Sequence, residues 1–481
     1  LLIFALLLQG ALACARHGPH DETLRTVPQA LAPASSASVA QTPAQPAPVT
    51  DVSPPAPLDL EGWLRARLPV GGRVDRGANG AVRVVHVARA GDTLMSIAPA
   101  YIDLTTAYTD QELTSALAAA NQMPATVPIH PGYEVVIPHV VAAIPPPPAE
   151  SRLGWPEDHA LSGIYAHIGM IGAAALPRVL DSLAASGMNA IVVDGKDYGG
   201  WLTYRSAIPL AVDTKASSHA VLPSVGRLVR VAHARGIRVI LRVACFHDAW
   251  TPPLRPDLAI RGMHNWLNPN EPKAQDYILA IIDELLPTGV DEIQLDYVRY
   301  PTEGISHADF ELGGKKTTDV IAGFVERVHA RTQAAGVPLS LDIFGVVAWQ
   351  YPPDVKGTGQ DLRKLGPLVE AISPMVYPSH FADGAMGFSL PGEHPEVVGY
   401  GTKQAAEVLK KAGATAIVRP WIQAFPWHAH GYDVGYVSRE IGASRASEGV
   451  GWLAWNAGGY YREVFAAAPP PHRAAGRVAQ K

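Results

Sequence analysis

The chain has 481 residues, with 39 Lys and Arg against 44 Asp and Glu. The resulting charge of −5 offers no field for nucleic acid or an acidic membrane. Hydrophobic residues at 48% and charged residues at 17% exclude overall disorder, and two cysteines exclude a disulfide scaffold or a cysteine-rich metal cluster.

Residues 1–14 read as the remnant of a signal peptide. The run Leu1 to Leu8 is too short to span a bilayer and fits an apolar h-region. Ala11-Leu12-Ala13-Cys14 is similar to a bacterial lipobox with its leucine displaced. Three readings stand: Cys14 is lipidated and anchors the protein to a membrane, the chain is cleaved nearby, or the run is an apolar N-terminal helix. The first two put the protein outside the cytoplasm, in the cell envelope or secreted. Residues 15–80 read mostly as a flexible linker rich in Ala and Pro. A second, Pro-rich linker is expected over 141–160, around Pro145-Pro146-Pro147-Pro148.

Between the linkers, residues 82–140 predict a β-α-α-β module. Val84-Val85-His86-Val87 reads as a strand, and Gly91-Asp92-Thr93-Leu94 as a turn that caps a helix. A second helix is expected over about 110–120, then a strand at Glu134-Val135-Val136-Ile137. The pattern V-x-x-x-G-D-T-L from Val87 and the later I-x-P-G-x-x-V-x-I-P from Ile129 resemble a LysM domain. That resemblance implies binding of N-acetylglucosamine-containing glycans such as peptidoglycan. Gly91, Asp92, Thr93 and Leu94 would form one rim of the site, and Ile129, Pro131 and Gly132 the other. Residues 101–113 look like an insertion in that pattern. The alternatives are that Asp92 and Thr93 only cap a helix and that the module is a spacer.

Residues 161–465 alternate short apolar strands with amphipathic helices that end at glycine. Eight such units predict a (β/α)₈ barrel, a TIM-barrel α/β fold with a doubly wound open sheet as the alternative, ahead of a C-terminal tail at 466–481. Strand ends of such a barrel form its active face. In the fourth strand, Ile293, Leu295 and Tyr297 share an apolar face, which turns Gln294 and Asp296 inward. The same alternation turns Ser340 and Asp342 inward from the fifth. Two acids on adjacent strands can approach to about 5 Å, the spacing of a retaining glycosidase pair. Asp296 is then the nucleophile and Asp342 the acid/base, unless either only binds a cation or a sugar hydroxyl.

Around them, Asp194, Lys196, His167, His247, Gln294, Arg299, Tyr377, His380, Arg419, Trp421, Gln423, Trp455 and Asn456 are candidate substrate-binding residues. Aromatic rings cover the apolar face of a sugar, and amides and charges meet its hydroxyls. This mechanism requires no metal or organic cofactor.

Val193-Asp194-Gly195-Lys196, Gln294-Leu295-Asp296-Tyr297-Val298-Arg299-Tyr300-Pro301, Ser340-Leu341-Asp342-Ile343-Phe344-Gly345 and Ser373-Pro374-Met375-Val376-Tyr377-Pro378-Ser379-His380 resemble the bacterial glycosyl hydrolase domain family DUF4015. The resemblance implies a barrel distantly related to α-amylase-type enzymes. There the nucleophile is an aspartate ending strand four, the position of Asp296. The acid/base is a glutamate ending strand five, where this chain has Asp342. The expected activity is hydrolysis of a cell-wall or matrix polysaccharide. The alternative is a non-catalytic carbohydrate-binding or wall-organising protein.

Overall fold

The computed structural model describes residues 59–468 apart from 78–79, 173–174 and 223. Cys14 and the rest of the leading segment lie outside the described residues, as do most of the first linker and nearly all of the tail.

Among the described residues, a helix and a strand precede the expected start of the small module at 82. A helix, Leu60–Arg65, and strand β1, Gly72–Arg76, occupy part of the span read as linker. β1 pairs antiparallel with β2, Val82–Val87, which pairs antiparallel with β3, Glu134–Ile137. Helices Leu94–Tyr101 and Asp110–Asn121 connect β2 to β3. Thr93 and Ser96 cap the first of these reciprocally, satisfying backbone N–H groups that a helix start leaves unpaired. Leu64, Val84, Leu94, Ala98, Leu113, Leu117 and Val135 form one core, so the early helix is part of this unit.

The large unit is the expected barrel. Its strands are β4 (Leu161–Ala166), β5 (Ala190–Lys196), β6 (Arg238–Ala244), β7 (Glu292–Asp296), β8 (Leu339–Phe344), β9 (Ala371–Met375), β10 (Ile417–Val418) with β11 (Trp421–Gln423), and β12 (Gly451–Trp455). They run parallel and close through β8 on β9 and β12 on β4. β10 and β11 are halves of one position, broken at Pro420, which has no N–H to give a ladder. Val239, Leu241, Ile293, Leu295, Leu339 and Leu341 pack outward on the helices, and Val192 and Ile240 inward. Helix Val434–Ala446 is absent from the sequence expectation, because VGYVSREIGASRA carries two glycines and two serines that blur its apolar stripe.

The second linker also differs from expectation, since much of it docks beneath the barrel. Arg152 donates to the carbonyls of Leu286 at 2.6 Å, Ala335 at 2.9 Å and Val290 at 3.2 Å. Asp291 accepts the N–H groups of Leu153 and Gly154, and Trp155 Nε1 donates to Glu292 at 2.8 Å. This floor closes the barrel at the end opposite its active face.

The insertion-like stretch joins the small unit to the barrel. Arg227 donates to Asp103 at 2.7 Å and to the carbonyl of Tyr108 at 3.4 Å, and the Tyr108 hydroxyl donates to the carbonyl of Ile171.

Candidate active site

The strand alternation that packs Val239, Leu241 and Val243 against the helices turns Arg242 into the barrel. Arg242 is the hub of the strand-end chemistry, and the sequence reading passed over it. Its Nη1 reaches Asp194 Oδ1 at 2.5 Å, while Nε and Nη2 donate to Asp296 Oδ2 at 3.0 and 2.6 Å. The same Nε lies 3.9 Å from Asp342 Oδ2. Three aspartates from β5, β7 and β8 thus share one guanidinium. Asp194 also accepts from Tyr165 Oη at 2.7 Å, and Asp342 Oδ1 accepts from Trp421 Nε1 at 2.8 Å. Asp342 Oδ2 is buried without a hydrogen-bond donor.

Surroundings separate the acids chemically. Burial and the neighbouring Asp296 charge push the Asp342 carboxyl well above the usual range, against the opposing pull of Arg242 and Trp421. Burial opposes the Arg242 charge, but Asp194 and Asp296 outweigh it and hold the guanidinium ionised. Asp296 is 4% exposed and Asp342 1%, so the pair sits deep in the mouth. Next to Asp296 the backbone turns left-handed at Tyr297, with φ 48°, and the Tyr297 N–H donates to Asp296 Oδ1 at 2.6 Å. A bulky residue in this region is strained, a feature that clusters at functional sites. The turn ends the strand alternation, so Tyr297 does not simply follow Ile293 and Leu295 outward. Its ring stacks on Tyr198 and tilts against His247, both rooted at neighbouring strand ends.

Two aromatic groups flank the hub. One joins Tyr198, His247, Trp266 and Tyr297 with Arg299. The other joins Tyr377, His380, Phe425, Trp427 and Trp455. Burial pushes His380 down to about 4 and His247 below its ordinary value, so both rings are held neutral. Burial and the acids raise Tyr377 well above the phenol range. His167 Nδ1 accepts from the N–H of Gly169 and caps a short helix beside the mouth. Tyr198, Phe425 and Trp427 come from loops, where the sequence has no period to place them.

Other candidates lie away from the mouth. Lys196 was expected to share the inward parity of Asp194, but an extra residue at Gly195 shifts the register between them. That bulge reverses the alternation. Lys196 is fully buried, bonded to Asp248 at 3.1 Å and to the Ala244 and His247 carbonyls. Arg419 is sealed in the floor, paired with Glu292 and set over Trp155. Gln294 lies sealed within the barrel, with neither amide atom bonded. Trp421 is buried and meets Asp342 instead of solvent. Gln423 binds the backbone of Ser379, Phe425 and Trp427, and Asn456 that of Ala424 and Gly458, so both brace loops around the mouth.

In the small unit, the two expected rims meet: the Ile129 N–H donates to the Asp92 carbonyl at 2.8 Å. Leu94 and Ile129 belong to the core and face away from any ligand. Asp92 binds His86 at 3.0 Å and the N–H of Arg89 at 2.7 Å, and Thr93 caps its helix. Gly91, Pro131 and Gly132 are exposed.

Among the described residues, no group of three or more His, Cys, Asp or Glu is arranged to hold a metal, and no helix is long and apolar enough to cross a membrane.

A family profile described as "Putative glycosyl hydrolase domain" (DUF4015) matches residues 163–461. No curated protein matches the chain. Among solved structures, a hypothetical protein from Ruminiclostridium thermocellum ATCC 27405 is similar at 31% identity, covering 37% of this chain and 96% of that one with a TM-score of 0.34. The PgaB (BpsB) glycoside hydrolase domain from Bordetella bronchiseptica is similar at 13% identity, over 62% of this chain and 94% of that one, TM-score 0.47. The Bacillus cereus spore cortex-lytic enzyme SleL is similar at 11% identity, over 81% and 88%, TM-score 0.38.

Proposed function

Since the chain belongs to the glycosyl hydrolase domain family DUF4015, we propose that it hydrolyses a glycosidic bond of a cell-wall or matrix polysaccharide by a retaining mechanism. The observation that carries this reading is the unlike state of two neighbouring acids. Asp296 takes two N–H bonds from Arg242 and one from the backbone, while burial and the neighbouring Asp296 charge raise the Asp342 carboxyl beside it. A nucleophile and an acid need that difference.

Asp296 attacks the anomeric carbon while Asp342 gives its proton to the departing glycosidic oxygen. The carbon–oxygen bond breaks and a glycosyl ester of Asp296 forms. Water then attacks the same anomeric carbon, Asp342 takes the water proton, the bond from that carbon to Asp296 breaks, and the Asp296 carboxylate is released. Arg242 positions Asp296, Trp421 positions Asp342, and the aromatic groups offer surfaces to sugar rings.

A purified-protein screen against a polysaccharide panel tests this. Asp296→Asn is expected to abolish turnover and keep sugar binding, with Asp342→Asn lowering turnover most on substrates with poor leaving groups. Turnover unchanged in both variants removes the mechanism. The second reading is a carbohydrate-binding or wall-organising protein without turnover, favoured by the depth of both acids; it predicts binding and no hydrolysis on every glycan tried.

The small unit is proposed to hold the protein on N-acetylglucosamine-containing glycan through the exposed backbone of Gly91 and Gly132, raising the local concentration of substrate. Lipidation or cleavage near Cys14, with an extracytoplasmic location, belongs to the same proposal; a mass spectrum of the mature N-terminus decides between them.

A further inference from the structure

Three cations root in β5, β6 and the loop after β7, and they differ in how their charge is met. Lys196 is paired with Asp248, and Arg242 with Asp194 and Asp296. Arg299 has no carboxylate partner among the described residues. Its one hydrogen bond runs from Nη1 to the carbonyl of Tyr300 at 3.1 Å. Its guanidinium carbon lies 4.9 Å from the Phe344 ring centre, 5.1 Å from Trp266 and 5.4 Å from Tyr297. Three rings therefore fix its plane. Arg299 is half-buried, and none of its nitrogens is sealed off from solvent without a bond. Burial works against its charge, which Tyr297, Asp296 and Glu303 only partly offset. An ionised, oriented fork with unused donors, set among the sugar-sized rings of the mouth, matches a planar carboxylate.

Resting on the glycosidase reading of this mouth, we infer that Arg299 binds the carboxylate of an acidic sugar, so that the substrate is a carboxylated polysaccharide. The charge logic favours this assignment. An acidic sugar approaching Asp296 and Asp194 is repelled unless a cation receives its carboxylate, and Arg242 is already engaged by the protein's own acids. Aromatic faces hold the ring, and the Arg299 fork sets its orientation. A ring carboxylate of a uronic acid and the lactyl carboxylate of a muramic-type sugar share this chemistry.

The full chain carrying Asp296→Asn is titrated calorimetrically with hexagalacturonate, hexamannuronate, a glucuronate oligosaccharide and muramic-containing glycan strands, each beside its carboxyl-reduced counterpart. Tighter binding of at least one acid than of its reduced form is expected, by about 10- to 100-fold, as for a charge-assisted hydrogen bond. Which acid binds identifies the carboxylate source. Arg299→Gln on the same background is expected to erase that preference, and Arg299→Lys to restore it only in part. Equal binding of acid and reduced forms, or binding of none of the acids, overturns the inference, once circular dichroism and a cooperative melt show that the Asp296→Asn chain is folded. Selective binding of an acid that the unsubstituted protein never cleaves supports Arg299 and defeats the hydrolase reading. Cleavage of neutral glycans alone does the reverse.

Discussion

Arg242 carries more of the site than either acid. Replacing it with Met leaves Asp194 and Asp296 buried without their counter-charge. Breaking a buried pair from one side costs about 3–5 kcal/mol. Urea denaturation at neutral pH is expected to register a loss of that order for Arg242→Met. Trp421 acts on Asp342 more gently. Its indole N–H holds the Asp342 carboxyl lower than burial alone would. Trp421→Phe removes that bond, so Asp342 stays protonated to higher pH. The alkaline limb of the kcat/KM profile is then expected to move upward, and a limb that stays in place would show that another group supplies the proton.

Individual elements repeat this coupling of a buried acid to the frame. Glu440, on helix Val434–Ala446, accepts the Gln423 N–H at 3.1 Å and leaves its second oxygen unbonded. Burial raises its carboxyl well above the usual range. Its stabilising contribution is therefore full below the ordinary glutamate range and is lost as pH rises through the raised value. Glu440→Gln is expected to flatten, though not abolish, the fall in thermal stability with rising pH, because Asp342 titrates in the same sense. Strand periodicity made the barrel legible, since each strand is an apolar run flanked by helices ending in glycine. Asp194, Asp296 and Asp342 were legible for the same reason: alternation holds from the start of each strand up to the acid itself. It fails one step later, where Gly195 adds a bulge before Lys196 and Tyr297 turns left-handed. Arg242 could have been found by the rule that found Asp296, because it shares the inward parity of Ile240. No local pattern announces that a proline-rich stretch will dock. That outcome depends on carbonyls and carboxylates far away in sequence, at Leu286, Asp291 and Ala335.

For the molecule as a whole, the floor and the seam make the barrel depend on residues ahead of its first strand. A chain starting at 142 keeps Arg152 and Trp155 but loses the seam bonds of Asp103 and Tyr108, and is expected to melt below the full protein. One starting at 156 loses the three carbonyl bonds of Arg152 and the Trp155 bond to Glu292. Calorimetry is expected to place its melting point several degrees lower, at about 1 kcal/mol per lost bond. Docking across more than 130 positions also sets a timetable during synthesis. The ribosome makes Arg152 and Trp155 before any barrel strand, yet the last of their partners emerge only once the fourth strand has begun and the fourth crossover helix is complete. Until then the half-made sheet has neither a closed edge nor a base, and that nascent intermediate is where a holding chaperone would find exposed apolar surface to grip.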